Sequence, residues 1–411
     1  MPPSQSVDPL ASRTWQVILK AENSAQYTEE LDSETLTLQA KNLAVVRAKI
    51  PPGYPEPYLP YGRLKNTTLD FQLAREPFLS PEIIDLGKNL FAETGLSYTA
   101  RHGFGAGISC AVCHVETQVF TDGKKLSKGA EGDETRRNTP TLYNAAYNST
   151  LTWANPVFPA LEMQAKIPLF GDDPIEMGLK GRENELSASL LGTNSGYAEQ
   201  IEKIFGLKGD SVDYTVITTA IAAYERTLIN FDTKFDRFLQ GRLRTDERYD
   251  DAEKEGLELF YGMKALQSGD TLPCAQCHSG VLLSNSFQFV RNGRYYNRQS
   301  FHNTGLYNLD GKGAYPFKNT GFATESQLRT DPSLMGQFRV PGLRFVGLTA
   351  PYAHDGSQDT LDSIIRDYAA GGRSKRSGEG QNPYVDPLIK KGFSINDAEI
   401  ATLVKFLNTL Q

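Results

Sequence analysis

Apolar residues along this chain recur mostly at helical spacing. Between Pro81 and Thr94, Ile83, Ile84, Leu86, Leu90 and Phe91 form a stripe that would bury one face of a helix. Ser80 stands where an N-cap belongs, and Pro81 at the first helical position, whose N–H has no intrahelical partner anyway. From Asp213 to Leu239, the residues Val216, Ile217, Ile221, Tyr224, Leu228, Phe231 and Phe235 predict one long helix. Further helices are predicted over Tyr249–Leu266, Thr360–Tyr368 and Ile395–Leu410. The stretch from the first helix to about Pro174 is helix-poor, and Val290–Gly321, dominated by Gly, Asn and Tyr, reads as loop. No strand-rich block is predicted. The first 75 residues carry no motif that can be interpreted. Pro51–Tyr61 (PPGYPEPYLPY) reads as an extended wrapping segment, the first 30 residues equally well as a disordered leader, and Trp15 as a packing anchor.

Two short motifs give these helices a purpose. Cys110-Ala-Val-Cys113-His114 is echoed by Cys274-Ala-Gln-Cys277-His278. C-x-x-C-H is the attachment signature of a c-type haem. Residues i and i+3 share one face of a helical turn, so both thiols can bond the vinyl groups of one porphyrin. The adjacent imidazole then reaches the iron from the proximal side. Two C-x-x-C pairs could instead build a four-cysteine zinc site. Against zinc, each pair is followed by His, and about 160 residues separate them. The four Cys of the chain are all used by the two motifs, so no disulfide is expected. The expected fold is mostly α: two cytochrome c-like haem domains packed side by side, over 81–245 and 246–411, behind an irregular N-terminal extension, 1–80.

Composition sets bounds on this picture. A chain of 411 residues suffices for two or three domains. A net charge of −6 gives no nucleic-acid footprint. No run approaches a membrane-spanning length, and no hydrophobic signal segment follows Met1. Because c-type haem is attached outside the cytoplasm, a periplasmic protein is expected, its signal peptide removed and Met1 added in its place.

The sequence between and around the motifs resembles the bacterial di-haem cytochrome c peroxidase and MauG superfamily from about Pro81 to the C-terminus. The likeness is carried by RNTPTLYNAAY (Arg137–Tyr147), PIEMG (Pro174–Gly178), FRVPGLR (Phe338–Arg344) and TAPYAHDGS (Thr349–Ser357). The runs FHNTGLYNLDGKGAYP (Phe301–Pro316) and PLFGDDPIEMGL look most like the MbnH-type branch, whose members oxidise a tryptophan of a partner, MbnP, to kynurenine.

The resemblance implies roles residue by residue. In the peroxidases a His in the loop before RNTPTLYN caps the first iron; here that loop, Ser127–Glu134, holds none. Of the five histidines, His102, His114, His278, His302 and His354, only His102 rivals His114 as a further ligand near the first motif, and it reads more simply as a surface residue. Glu176 matches the distal glutamate, and Gln164 and Pro168 match distal-pocket positions. At the second haem, His278 is the expected proximal ligand. Tyr368 stands where MauG-type proteins have Tyr and the peroxidases Met, with Met335 as its rival. A hard phenolate would favour ferric and higher oxidation states, whereas Met raises the potential. His354 matches a His that bonds near this haem. Trp153 matches the inter-haem tryptophan, and Asn138, Thr349 and Pro351 a calcium site built from carbonyl oxygens and water. MauG has a surface-side Trp where Leu272 stands here, so a hole leaving the second haem needs another route, such as the loop Tyr295-Tyr296 or Tyr307.

Three activities follow as expectations. The first is a di-haem oxidoreductase that uses hydrogen peroxide to reach a bis-ferryl-level state and oxidises an MbnP-like partner protein. The second is a peroxidase drawing electrons from a small redox protein. The third, a plain electron carrier, requires both irons to be six-coordinate.

Overall fold

The computed structural model describes residues 8–24, 27–59, 79–158, 160–192 and 196–411. It is mostly helical, and each half is organised around one close helix crossing. In the first half, Pro81–Phe91 packs on Tyr214–Arg226. A Cβ placed on Gly87 would lie 1.8 Å from the Ala220 carbonyl oxygen, so only glycine allows the two backbones to meet. In the second half, Asp251–Phe260 packs on Asp397–Leu407 in the same way, a Cβ on Gly256 falling 2.3 Å from the Thr402 carbonyl oxygen. In each crossing a C-x-x-C-H turn follows the first helix in sequence and precedes the second. Ser80 caps the first helix as its sequence predicts, accepting from the Ile83 N–H at 3.3 Å.

Four expectations are corrected. The N-terminal extension is not irregular: Pro9–Asn23 and Ser33–Leu43 are helices, capped by the Asp8 and Asp32 side chains. Leu10, Thr14 and Ile18 bury the first of these, so the described part of the predicted leader, from Asp8, is core. Pro51–Leu59 does wrap the body without helix, while Pro60 and Tyr61 lie outside the described residues. The helix expected over Asp213–Leu239 is broken into Tyr214–Arg226 and Lys234–Leu239. The break is held from afar by Asn144, whose amide bonds both the Asn230 N–H and the Asn230 carbonyl at 3.0 Å and whose own N–H reaches the Leu228 carbonyl. A capping box at Thr233 and Asp236 then restarts the helix. The helix expected over Tyr249–Leu266 is shorter, Asp251–Phe260, ending where Gly262 turns left-handed. Finally, Val290–Gly321 is not all loop. Phe287–Arg291 and Arg294–Arg298 form a hairpin, and Tyr27–Glu30 adds to its free edge. Its turn is Asn292-Gly293, both at positive φ, the strongest short hairpin signal a sequence carries.

The two halves and the extension share one apolar core, and a buried ion pair sits where they join. Arg344 binds Asp236 through both nitrogens, at 2.6 and 2.8 Å, and Tyr54 of the extension donates its hydroxyl to Asp236 at 2.7 Å. Burial alone would raise the Asp236 pKa. The Arg344 charge, with the bonds from Arg344, Tyr54 and Thr233, outweighs it and holds the value below the ordinary carboxylate range.

Candidate haem centres and the cavity between them

Cys110–Cys113 and Cys274–Cys277 each form a single helical turn, and the following histidine closes it, His114 and His278 donating their N–H to the first Cys carbonyl at 2.9 Å. Each ring is then aimed by a backbone carbonyl. His114 Nδ1 lies 2.9 Å from the Phe120 oxygen and His278 Nδ1 3.1 Å from the Leu283 oxygen. Phe120 and Leu283 both adopt left-handed conformations, φ 61° and 53°, which turn their carbonyls back toward the ring. A carbonyl can only accept, so Nδ1 carries the proton and Nε2 keeps its lone pair for iron. Burial pushes the His114 pKa down and that of His278 down to about 4, so both rings are neutral, as ligation requires. Two thiols on one face, a neutral imidazole beside them and a cavity in front fit a covalent haem. No group of three or more His, Cys, Asp or Glu able to hold a metal occurs among the described residues, and the four Cys are unpaired, which leaves the zinc alternative without a site.

A cavity of about 350 Å³ opens at the first motif, lined by Cys110, Cys113 and His114. The same wall holds Glu176, Gln164, Pro168 and Trp153, brought together from segments that are helix-poor or built of single turns. Glu176 is half-buried, and burial raises its carboxyl pKa above the usual value. Its backbone is pinned by bonds from Ala130 N–H at 2.7 Å and, one residue on, from Met177 N–H to the Pro168 carbonyl at 2.9 Å. The Ser127–Glu134 loop folds against it: a Cβ on Gly129 would lie 1.9 Å from the Ile175 oxygen. His114 is the one histidine in the lining. His102 stands exposed in the turn between Tyr98–Thr99 and Gly103–Phe104, away from the cavity.

Tyr368 lies on the helix Leu361–Ala370, half-buried. Burial raises its hydroxyl pKa, and the Cys277 and Cys274 groups add to the shift. Met335 instead packs with Trp153, Tyr307 and Phe322 around Tyr315 and Phe338. His354 stacks on Phe338 at 3.5 Å, and its Nε2 is buried with no partner among the described residues, an orphan that a bound group would satisfy. Burial pushes its pKa down to about 3.

Trp153 belongs to both halves. It lines the first cavity, yet packs in the cluster that holds Met335 and Tyr307. Its indole N–H donates to the Asn138 carbonyl at 2.8 Å, and its own carbonyl accepts from the Arg339 N–H at 2.8 Å. Asn138 is tied in turn to the His354 carbonyl at 2.9 Å, three residues beyond Pro351, and its side chain donates to the Lys124 carbonyl. The Thr349 hydroxyl reaches the Val346 carbonyl at 3.4 Å. Leu272 is buried, Tyr295 lies in the hairpin rather than a loop, and Tyr307 donates to Asp355.

Several residues with chemistry were not found from the sequence. Glu225 lines the first cavity, buried, with its pKa raised to about 8 by burial and Oε2 unpartnered among the described residues. Its signal was a carboxylate inside the apolar stripe of Tyr214–Arg226. His302 lies 4.0 Å from the Cys277 thiol and is bonded on both sides, to Ser300 and Asp386. Arg339 lines the cavity too, and its guanidinium bonds carbonyl oxygens of Thr152 and Val340 and the Asn148 amide rather than a carboxylate.

Comparison with known proteins agrees with this geometry. The family model described as di-haem cytochrome c peroxidase matches residues 81–244. The chain is 30% identical to the cytochrome c551 peroxidase of Nitrosomonas europaea, over 80% of each chain. It is 29% identical to the methylamine utilization protein MauG of Methylorubrum extorquens, over 81% of this chain and 79% of that one. Among solved structures, a MauG-like protein associated with microbial copper homeostasis superposes with a TM-score of 0.72 at 36% identity, covering 88% of this chain and 94% of the other.

Proposed function

The chain belongs to the di-haem cytochrome c peroxidase and MauG family, and from that premise we propose that it is a periplasmic enzyme that spends hydrogen peroxide on oxidising a partner protein. One observation carries the reading: the first cavity offers peroxide a face lined by Glu176 and by no histidine other than His114. Haem bound at the two motifs supplies the redox chemistry. The chain's own residues do the rest. Glu176 accepts a proton from one peroxide oxygen and returns it to the departing oxygen, for which a carboxyl of raised pKa is suited. Gln164 and Pro168 shape the space in which peroxide is held. Trp153 passes electrons between the halves, and because its N–H faces a backbone carbonyl, a poor base, it moves charge without surrendering its proton. Tyr368 and His278 would hold the second haem's iron, and His354 would bond beside that haem. Asn138, Thr349 and Pro351 would hold a calcium ion through carbonyl oxygens and water.

For the partner, we propose a tryptophan on an MbnP-like protein, oxidised to kynurenine. Supporting this branch are Tyr368 beside the second motif and the 36% identity to the MauG-like structure. The test is an optical and electron-paramagnetic-resonance titration of the diferric protein with one equivalent of peroxide and no reductant. Rapid loss of both ferric signals is expected. A protein inert until one haem is reduced would instead be a peroxidase fed by a small redox protein. No helix among the described residues is long and apolar enough to cross a membrane.

A further inference from the structure

From His114 and Phe91, which both line the cavity at the first motif, aromatic rings run outward toward the surface. Phe91 lies 6.3 Å from the His114 ring and 5.4 Å from Tyr224, centroid to centroid. Phe120, whose carbonyl holds His114 Nδ1, lies 5.3 Å from Tyr143. Both branches stay within the separations of contacting rings. The branches are joined at their base, where Phe91 and Phe120 lie 6.5 Å apart. Tyr224 is 7% exposed, whereas Tyr143 is half-exposed and stacks at 4.6 Å on Phe345 of the second half. A packing role alone would be met by phenylalanine at both positions.

We propose that Tyr143 and Tyr224 form a redox-active pair that drains oxidising equivalents from the first haem when no partner protein is docked. The proposal rests on the reading that peroxide reacts in the first cavity. Hydrogen peroxide is the oxidant. Each phenol gives one electron, through Phe91 or Phe120 and His114, and releases its O–H proton to water. One peroxide and two phenols thus become two waters and two neutral phenoxyl radicals. Tyr143, the more exposed, is where an external reductant such as a small reducing solute would reset the pair. The route is separate from Trp153, which lines another part of the cavity wall and packs in the cluster around Tyr315 and Phe338.

The test treats the diferric holoprotein and its Tyr143→Phe, Tyr224→Phe and double variants with excess peroxide, without partner, and follows two signals in frozen samples. The ferric signals report the cavity reaction, and a narrow organic-radical signal reports the tyrosines. The expected result is ferric loss in every protein, a tyrosyl radical in the unsubstituted one, and loss of that signal with slower return of the ferric state in the double variant. An undiminished radical signal in the double variant overturns the tyrosine assignment alone. Persistence of the ferric signals in the unsubstituted protein overturns the reading of the cavity, and the drain with it. Phenylalanine keeps both rings in place, so folding is not at issue.

Discussion

Trp153 hangs on Asn138: its indole N–H donates to the Asn138 carbonyl at 2.8 Å, and Asn138 carries the tie across the seam between the halves, its own N–H donating to the His354 carbonyl at 2.9 Å. The ring is thereby fixed in the wall of the first haem site while its body packs in the cluster around Tyr315 and Phe338 of the second half. Trp153→Phe keeps a ring of similar shape but loses this bond and the readily oxidised indole. Peroxide consumption at the first cavity should survive, whereas partner oxidation should fall by about tenfold or more, the effect of roughly 1.4 kcal/mol at the barrier. Single-turnover kinetics with each ferric signal monitored separately distinguish the two steps. Equal slowing of both would remove Trp153 from the inter-haem role.

Glu176→Gln preserves shape and removes the proton acceptor. The bimolecular rate with peroxide should drop by about 10²–10⁴-fold, the usual worth of a positioned general base. The sign of the pH effect follows from the direction of the shift. Burial raises the Glu176 pKa, and the ionised form is the base, so the rate should fall as pH drops through that raised value. The glutamine variant should be flat over the same window. Stopped-flow traces across pH decide the matter.

Replacing Tyr368 separates ligand from bystander. Tyr368→Phe should change the optical spectrum of the second haem and leave the first unaltered. Tyr368→Met should raise the second haem's potential, since a thioether favours the reduced state. An unaltered spectrum in the phenylalanine variant would make Tyr368 an ordinary packing residue.

Asp236 and Arg344 make a prediction about stability. Removing either partner leaves a buried charge exposed to no counter-ion, a loss of about 3–5 kcal/mol. The Asp236 pKa is lower in the folded protein than in the unfolded chain, so its contribution is full above the unfolded value and is lost as pH falls through the folded one. Thermal melts of Asp236→Asn should therefore show a lower Tm at neutral pH and a weaker further decline in acid than the unsubstituted protein.

Gly87→Ala and Gly256→Ala test whether the helix crossings are equivalent. Each inserts a methyl against a carbonyl oxygen, at 1.8 and 2.3 Å, and overpacking of this kind costs about 1–3 kcal/mol or more. Both should lower Tm, and a neutral result at either site would show that its helices separate freely.

What the sequence made legible was mostly local or covalent. The haem turns need Cys, Cys and His at fixed offsets, so they can be read without a fold. Ser80 with Pro81 is a cap whose partner lies within three residues. Two misses were also local: the Asn292-Gly293 turn lay within a stretch whose Gly, Asn and Tyr content reads as loop, and the Asp8-Pro9 helix start within one read as a disordered leader. Others had no local signal. Nothing between Asp213 and Leu239 announces that Asn144 will interrupt the helix. The cavity wall likewise gathers Trp153, Gln164, Glu176, Glu225 and Arg339 from distant segments, and only family likeness singled out the first three.

The carbonyls of Phe120 and Leu283 have an evolutionary consequence. Each decides which nitrogen of its histidine is free, and each is main chain, so the proximal geometry is insulated from most side-chain drift, provided the left-handed turn survives. In the function proposed above, the opposite faces would be furnished instead by side chains, Glu176 at the first haem and Tyr368 at the second, which a single codon can alter. Two nearly identical sockets could therefore be kept constant while their opposite faces diverged toward separate duties.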